Sequence, residues 1–87
     1  MTYSVLVSRT FQKQFQGLDS GVQDRIRTAL ALLREDPYRS RSGADIKAIV
    51  HTTPKKFRLR VGDFRVIYAV EGEAVRVIEV FRRGREY

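Results

Sequence analysis

Five cations fall among the apolar residues of KKFRLRVGDFRVIY, positions 55–68, with only Asp63 inside the segment to answer them. If Gly62 and Asp63 form a two-residue turn, Val61 pairs with Phe64 and the segment is a β-hairpin. Phe57, Leu59, Val61, Phe64, Val66, Tyr68 and Val70 then project from one face. Lys56, Arg58, Arg60 and Arg65 project from the other, with Ile67 and Ala69 beyond them. Arg60 stands across from Arg65 in this register, and like charges opposed across strands cost a few tenths to about 1 kcal/mol. Such a face calls for an anionic ligand. Guanidinium forks match phosphate oxygens in pairs and keep their charge. In scission of RNA by its own 2′-hydroxyl, charge accumulates on a pentacovalent phosphorane, so fixed cations there act mainly on the transition state. Lys56, crowded by arginines, is expected to have its ammonium disfavoured and to serve as a general base. Arg83 is placed to neutralise or protonate a leaving 5′-oxygen, and Tyr87 to stack on a base. On the residues alone, RNA binding ranks ahead of catalysis.

The 87-residue chain carries 17 Lys and Arg against 10 Asp and Glu, a net charge of +7. A surface of that sign concentrates polyanions and speeds their encounter. The charge is segregated, since residues 1–36 hold five cations against four anions and leave +6 to residues 37–87. With no cysteine and one histidine, neither a disulfide framework nor a thiolate or histidine metal site is expected. No apolar run approaches the length of a membrane span or a signal peptide, so the chain reads as cytoplasmic. Its length fits one domain, residues 1–87, with one modest core.

The elements that must carry the cations follow from periodicity. Tyr3, Val5 and Val7 alternate with Ser4, Leu6 and Ser8, which indicates a strand. Ser8 or Thr10 can cap a short helix with Phe11, Phe15 and Leu18 on one stripe and Gly17 near its end. Ser20 with Gln23 makes a capping-box pattern for a second helix. Its apolar face is Val22, Ile26, Ala29, Leu30 and Leu33, and Asp36-Pro37 stops it. From Tyr38 to Thr53 no period is clear, so the stretch is either a functional loop or hides a short element around Ile46 to Val50. His51, near its end, is expected to be structural or solvated. A further strand spans 74–81. A three-residue loop pairs Val70 with Ala74, turns Ile78 and Val80 toward the core, and puts Val77, Glu79 and Phe81 on the cationic face. Glu79 then opposes Arg65, Arg83 continues the face, and Tyr87 lies near the same end. The expected fold is α+β: an N-terminal strand and a two-helix hairpin packed on an antiparallel or mixed sheet of about four strands.

This order of elements, with Arg58 to Tyr68 (RLRVGDFRVIY) and the ending RRGREY at 82–87, resembles the RelE/ParE toxin superfamily of bacterial and archaeal toxin-antitoxin modules. The resemblance covers nearly the whole chain. It implies a RelE-like fold and a metal-independent, ribosome-dependent endoribonuclease that cuts mRNA in the ribosomal A site. By position it implies catalytic roles for Lys56, Arg58, Arg65, Arg83 (with Arg82 as the alternative) and Tyr87. Lys55, Arg60, Arg82 and Arg85 are the expected additional RNA and phosphate contacts. No metal or organic cofactor is implied, because the basic side chains supply the electrostatics. The implied partners are a RelB-like antitoxin, the ribosome and mRNA. Subfamilies with a catalytic Glu and His are not matched, since Phe81 and Arg82 occupy the region of that His. A ParE-like inhibitor of DNA gyrase and a noncatalytic RNA- or ribosome-binding module are the alternative readings.

Overall fold

The alternating segments become five strands and the two apolar stripes become two helices. Their order is β1 (Ser4–Val7), α1 (Arg9–Gln16), α2 (Ser20–Leu33), β2 (Asp45–Ile49), β3 (Lys56–Val61), β4 (Phe64–Glu71) and β5 (Ala74–Arg82). The structure, a computed structural model, describes residues 2–84. One sheet runs in the order β1-β5-β4-β3-β2, antiparallel except that β1 is parallel to β5. The fifth strand, beyond the four expected, is β2, the element concealed around Ile46. It was hard to see because it is an edge strand with Ile46 its one buried residue.

Both helices lie on the same side of the sheet. Ser8 caps α1 by accepting the Phe11 N–H, and α1 packs mainly against β5. The second helix begins one residue earlier than its capping-box pattern indicated, with Asp19 as the cap residue and Ser20 already helical. Gln23 is therefore free to donate to the Phe15 carbonyl and tie the two helices together at 2.9 Å. The helix ends at Leu33, ahead of Asp36-Pro37. The Asp36 carboxylate instead accepts the Tyr38 and Arg39 N–H groups, and those bonds, Tyr38's above all, hold it below the ordinary carboxylate range. Phe11, Ile26, Ala29 and Leu33 from the helices close over Phe57, Leu59, Val61, Phe64, Val66, Tyr68, Val75, Val77 and Val80 from the sheet. Burying each such side chain stabilises the fold by roughly 1.5–3 kcal/mol before entropy is counted.

The β3–β4 hairpin has the register read from its sequence, with Val61 paired to Phe64 and Arg60 to Arg65. Gly62 has φ 57°, the left-handed conformation a tight two-residue turn requires. A Cβ there would also come within 2.5 Å of the Arg25 guanidinium of α2, which would have to swing aside.

The β4–β5 pairing differs from expectation. Its turn has two residues, Gly72 and Glu73, so Glu71 pairs with Ala74 and Val70 with Val75. That register sends Val77 into the core. Further along, Tyr68 pairs with Val77 but Ile67 with Glu79, which leaves Ile78 as the extra residue of a β-bulge. The bulge reverses the alternation. Val80 is buried in the core, while Glu79 and Phe81 fall on the helix-free side, as expected. The residue opposite Arg65 is Phe81, and Glu79 stands opposite Ile67.

Tyr68 is fully buried and donates to the Pro37 carbonyl at 2.6 Å, pinning the α2–β2 connection to the sheet. Replacing it with phenylalanine leaves that carbonyl without a partner, which costs roughly 1–3 kcal/mol. Tyr68→Phe is expected to lower the urea midpoint with an unchanged slope. Burial also pushes the phenol well above its ordinary value of 10.0. The unfolded chain thus releases this proton first, and stability falls as the pH rises above about 10. Denaturation curves at neutral and alkaline pH should show that part of the alkaline loss absent from Tyr68→Phe.

Candidate functional site

Residues paired across a ladder project to the same side, so the pairings define rows over the helix-free face. Nearest the Gly62–Asp63 turn the row is Asp45, Arg60, Arg65 and Phe81. The next is Lys47, Arg58, Ile67 and Glu79, and the third is Ile49, Lys56, Ala69 and Arg76. Leu6 of the edge strand β1 continues the third row and is 48% exposed. Ile67, Ala69 and Phe81 are buried although no helix covers this side. They form an apolar floor flanked by the long stems of Arg58, Lys56, Arg76 and Arg65, whose aliphatic parts can lie along it.

The face is polarised. At its far end Arg76 pairs with Glu71 at 3.5 Å, and that charge is answered. Toward the turn, Lys47, Lys56, Arg58, Arg60 and Arg65 meet two carboxylates, Asp45 and Glu79. Arg65 registers the crowding. Its guanidinium is disfavoured first by partial burial and then by Arg60, Arg58 and Arg83, with Asp45 acting in the opposite sense. Its Nη1 donates to the Gly62 and Phe64 carbonyls at 3.3 and 3.2 Å, which fixes the head group over the turn. Arg58 is half-buried, and its Nε has no hydrogen-bond partner among the described residues. That atom is buried, and a buried donor without a partner costs free energy.

Alternation puts Arg82 and Arg83 on different sides of the sheet. Arg82 pairs with Phe64, on the helix side, and its guanidinium lies 5.2 Å from the Phe64 ring centre. Arg83 follows it, donates its backbone N–H to the Asp63 carbonyl at 2.6 Å, and acts on Arg65. The fold therefore brings Arg58, Arg60, Arg65 and Arg83 together, from the two strands β3 and β4 and the residue after β5, with Lys56 two residues along β3 on the same side. Lys55 is not brought there. It precedes β3, is exposed, and its Nζ lies 6.0 Å from the ring of core residue Phe57. Arg85 and Tyr87 lie outside the described residues. His51 is exposed in the β2–β3 connection with φ 61°.

Lys47 and Asp45 belong to the face and were missed from sequence. Their signal was the inward Ile46 between them, which phases β2 once that segment is recognised as a strand. Asp45 and Arg60 also line an open cleft of about 430 Å³ beside α2, with Asp24 and Arg25 on its rim. Charges balance in that cleft, unlike on the face. Among the described residues, no group of three or more His, Asp or Glu could hold a metal ion, and no helix is long and apolar enough to cross a membrane.

What this arrangement can do is hold an extended anion. Several guanidinium groups on rigid strands, one of them anchored over the turn, can grip a phosphodiester and follow it to a more highly charged state.

Comparisons with known proteins agree with the architecture. The toxin in an archaeal RelE-RelB complex from Pyrococcus horikoshii is 28% identical, with a TM-score of 0.83 over 99% of this chain and 100% of that one. The intact RelBE toxin-antitoxin complex of E. coli contains a chain 25% identical, with a TM-score of 0.65 over 95% and 99%. A chain in the RelBE2 complex of Mycobacterium tuberculosis, 20% identical over 95% of this chain and 100% of that one, shares the fold at a TM-score of 0.79. Comparison with curated protein sequences gives no significant match. Residues 5–87 match the family model of the ParE toxin of type II toxin-antitoxin systems. With the family match running from β1 through the cationic face, the chain belongs to the ParE toxin family and is a toxin of the RelE/ParE superfamily.

Proposed function

We propose that this toxin is a ribosome-dependent endoribonuclease that cleaves mRNA in the ribosomal A site, with an antitoxin of RelB type as its partner. The observation that carries the reading is the convergence of Arg58, Arg65 and Arg83 on one helix-free sheet face. In the proposed reaction the 2′-oxygen of the substrate bonds to the adjacent phosphorus and the bond from phosphorus to the 5′-oxygen breaks. The products are a 2′,3′-cyclic phosphate and a 5′-hydroxyl. Lys56 takes the proton of the attacking hydroxyl. The guanidinium groups of Arg65 and Arg58 receive the phosphorane oxygens, where donors carried on rigid strands are worth most because they need little reorganisation. Arg83 neutralises or protonates the leaving oxygen, and Tyr87 stacks on a base. Arg60 and Lys47 steer the chain without touching the scissile phosphate.

Support for the partner comes from the similar toxins, which were solved as complexes with RelB proteins. An acidic segment of such an antitoxin laid over this face would relieve the Arg60–Arg65 repulsion and exclude RNA at once.

The family name favours a second reading, inhibition of DNA gyrase. A translation extract programmed with a defined mRNA separates them by primer extension. Wild-type protein should give ribosome-dependent breaks. Arg65→Ala and Arg83→Ala should each slow single-turnover cleavage by roughly 100-fold, as removal of a transition-state donor does. Arg82→Ala, whose side chain faces Phe64, should cleave nearly as the wild type does. Arrest of supercoiling without mRNA breaks would replace the nuclease reading with the gyrase one.

Binding to ribosomes should weaken steeply with salt, because each phosphate engaged releases a counterion. A plot of log affinity against log salt should lose about one unit of slope in Arg60→Gln if that side chain contacts a phosphate. A salt-independent affinity would show that the cationic face is not the contact surface.

A further inference from the structure

The bulge at Ile78 decides what β5 contributes to the cationic face, and the structure contains a device that recognises it. In a regular strand consecutive carbonyls point to opposite edges, so one neighbour cannot receive both. Here the carbonyls of Val77 and Ile78 turn to the same edge. Ser8 receives both, through its backbone N–H to Val77 at 2.9 Å and its hydroxyl to Ile78. Two residues on, the Val80 N–H is accepted by Oε1 of Gln14 at 2.7 Å. Strand β1 ends at Val7, so β5 has no strand neighbour on that edge past Val77, and α1 supplies the partners instead.

We infer that Ser8 and Gln14 are positioning residues of the site: they hold β5 in its bulged register and thereby keep Arg83 on the cationic face. A slip of one residue that removed the bulge would turn Glu79, Phe81 and Arg83 toward the core and bring Arg82 to the face. It would also leave the Ile78 carbonyl without the donor that Ser8 provides and the Val80 N–H without the acceptor that Gln14 provides. Neither Ser8 nor Gln14 lies on the face itself, since both belong to the helix side, so their effect on an anionic ligand runs through β5. The inference rests on the nuclease reading for its catalytic consequence and on geometry alone for the register.

The test uses Gln14→Ala, with Gln14→Glu as the variant that keeps an acceptor for the Val80 N–H, and Ser8→Ala with Ser8→Thr in the same way. Three quantities are read: amide exchange at Val80, the NMR cross-strand contact between Ile67 and Glu79, and single-turnover cleavage beside ribosome affinity. In Gln14→Ala, Val80 exchange should accelerate and cleavage should fall by roughly 10- to 100-fold, the scale of a small misplacement, with affinity held within about twofold. Gln14→Glu should restore both. Faster exchange with undiminished cleavage would reduce Gln14 to a structural role and overturn the inference, as would unchanged exchange. Should the wild type bind ribosomes without cutting mRNA, the nuclease reading fails. The register is then still judged by the Ile67–Glu79 contact, whose persistence at full strength in a Ser8→Ala, Gln14→Ala double variant would overturn it.

Discussion

One-sided burial governs this molecule. A sheet covered by helices on a single side must keep strict parity along each strand, because every residue out of phase puts a charge in the core or an apolar group in water. The β3–β4 hairpin obeys that parity from Phe57 to Tyr68 inward and from Lys56 to Arg65 outward, while its outward Ile67 and Ala69 are buried with no helix over them. Its inward side supplies much of the stabilising area, and its outward side is consequently free to hold side chains the fold does not need. The like-charge opposition of Arg60 and Arg65 is tolerated on that account. Core burial outweighs it, and a bound polyanion would convert the repulsion into attraction.

Local features were legible in the sequence. The Gly62–Asp63 turn, the alternation around it, and the apolar stripes of α1 and α2 all depend on neighbours within a few residues, and the structure has them as read. What depended on distant partners was less so. The capping box at Ser20 gave way to a start at Asp19, with Gln23 spent on the distant Phe15 carbonyl, and β2 was obscured because an edge strand with one buried residue has almost no period. The β4–β5 connection is instructive. A three-residue loop without a bulge and a two-residue turn with one produce the same phase after Ile78. Glu79, Phe81 and Val80 were therefore placed on the right sides by a wrong register, while Val77 and the partner of Arg65 were not. No local pattern signals the bulge, since its reason lies in the carbonyls that Ser8 receives across the chain.

The site inherits its properties from that mixture. Arg58, Arg60 and Arg65 ride on the most locally determined element, and Arg65 is anchored by carbonyls of its own turn. Arg83 arrives on the least locally determined one. A grip built from both is stiff at its centre and conditional at its margin. The Arg76–Glu71 pair at the β5 side of the far row is balanced, so the uncompensated charge of the face lies over β3 and the turn end of β4.

The strand order carries a consequence for biogenesis. β5 is translated after the other four strands, yet it sits between β1 and β4. A nascent chain lacking it has two unsatisfied strand edges and an α1 without its main packing surface. The sheet must therefore hold open a vacancy, or form late, until that segment clears the exit tunnel, and an arginine cluster that needs β5 is incomplete until then. The cationic face is in this way completed only by the last strand to be synthesised.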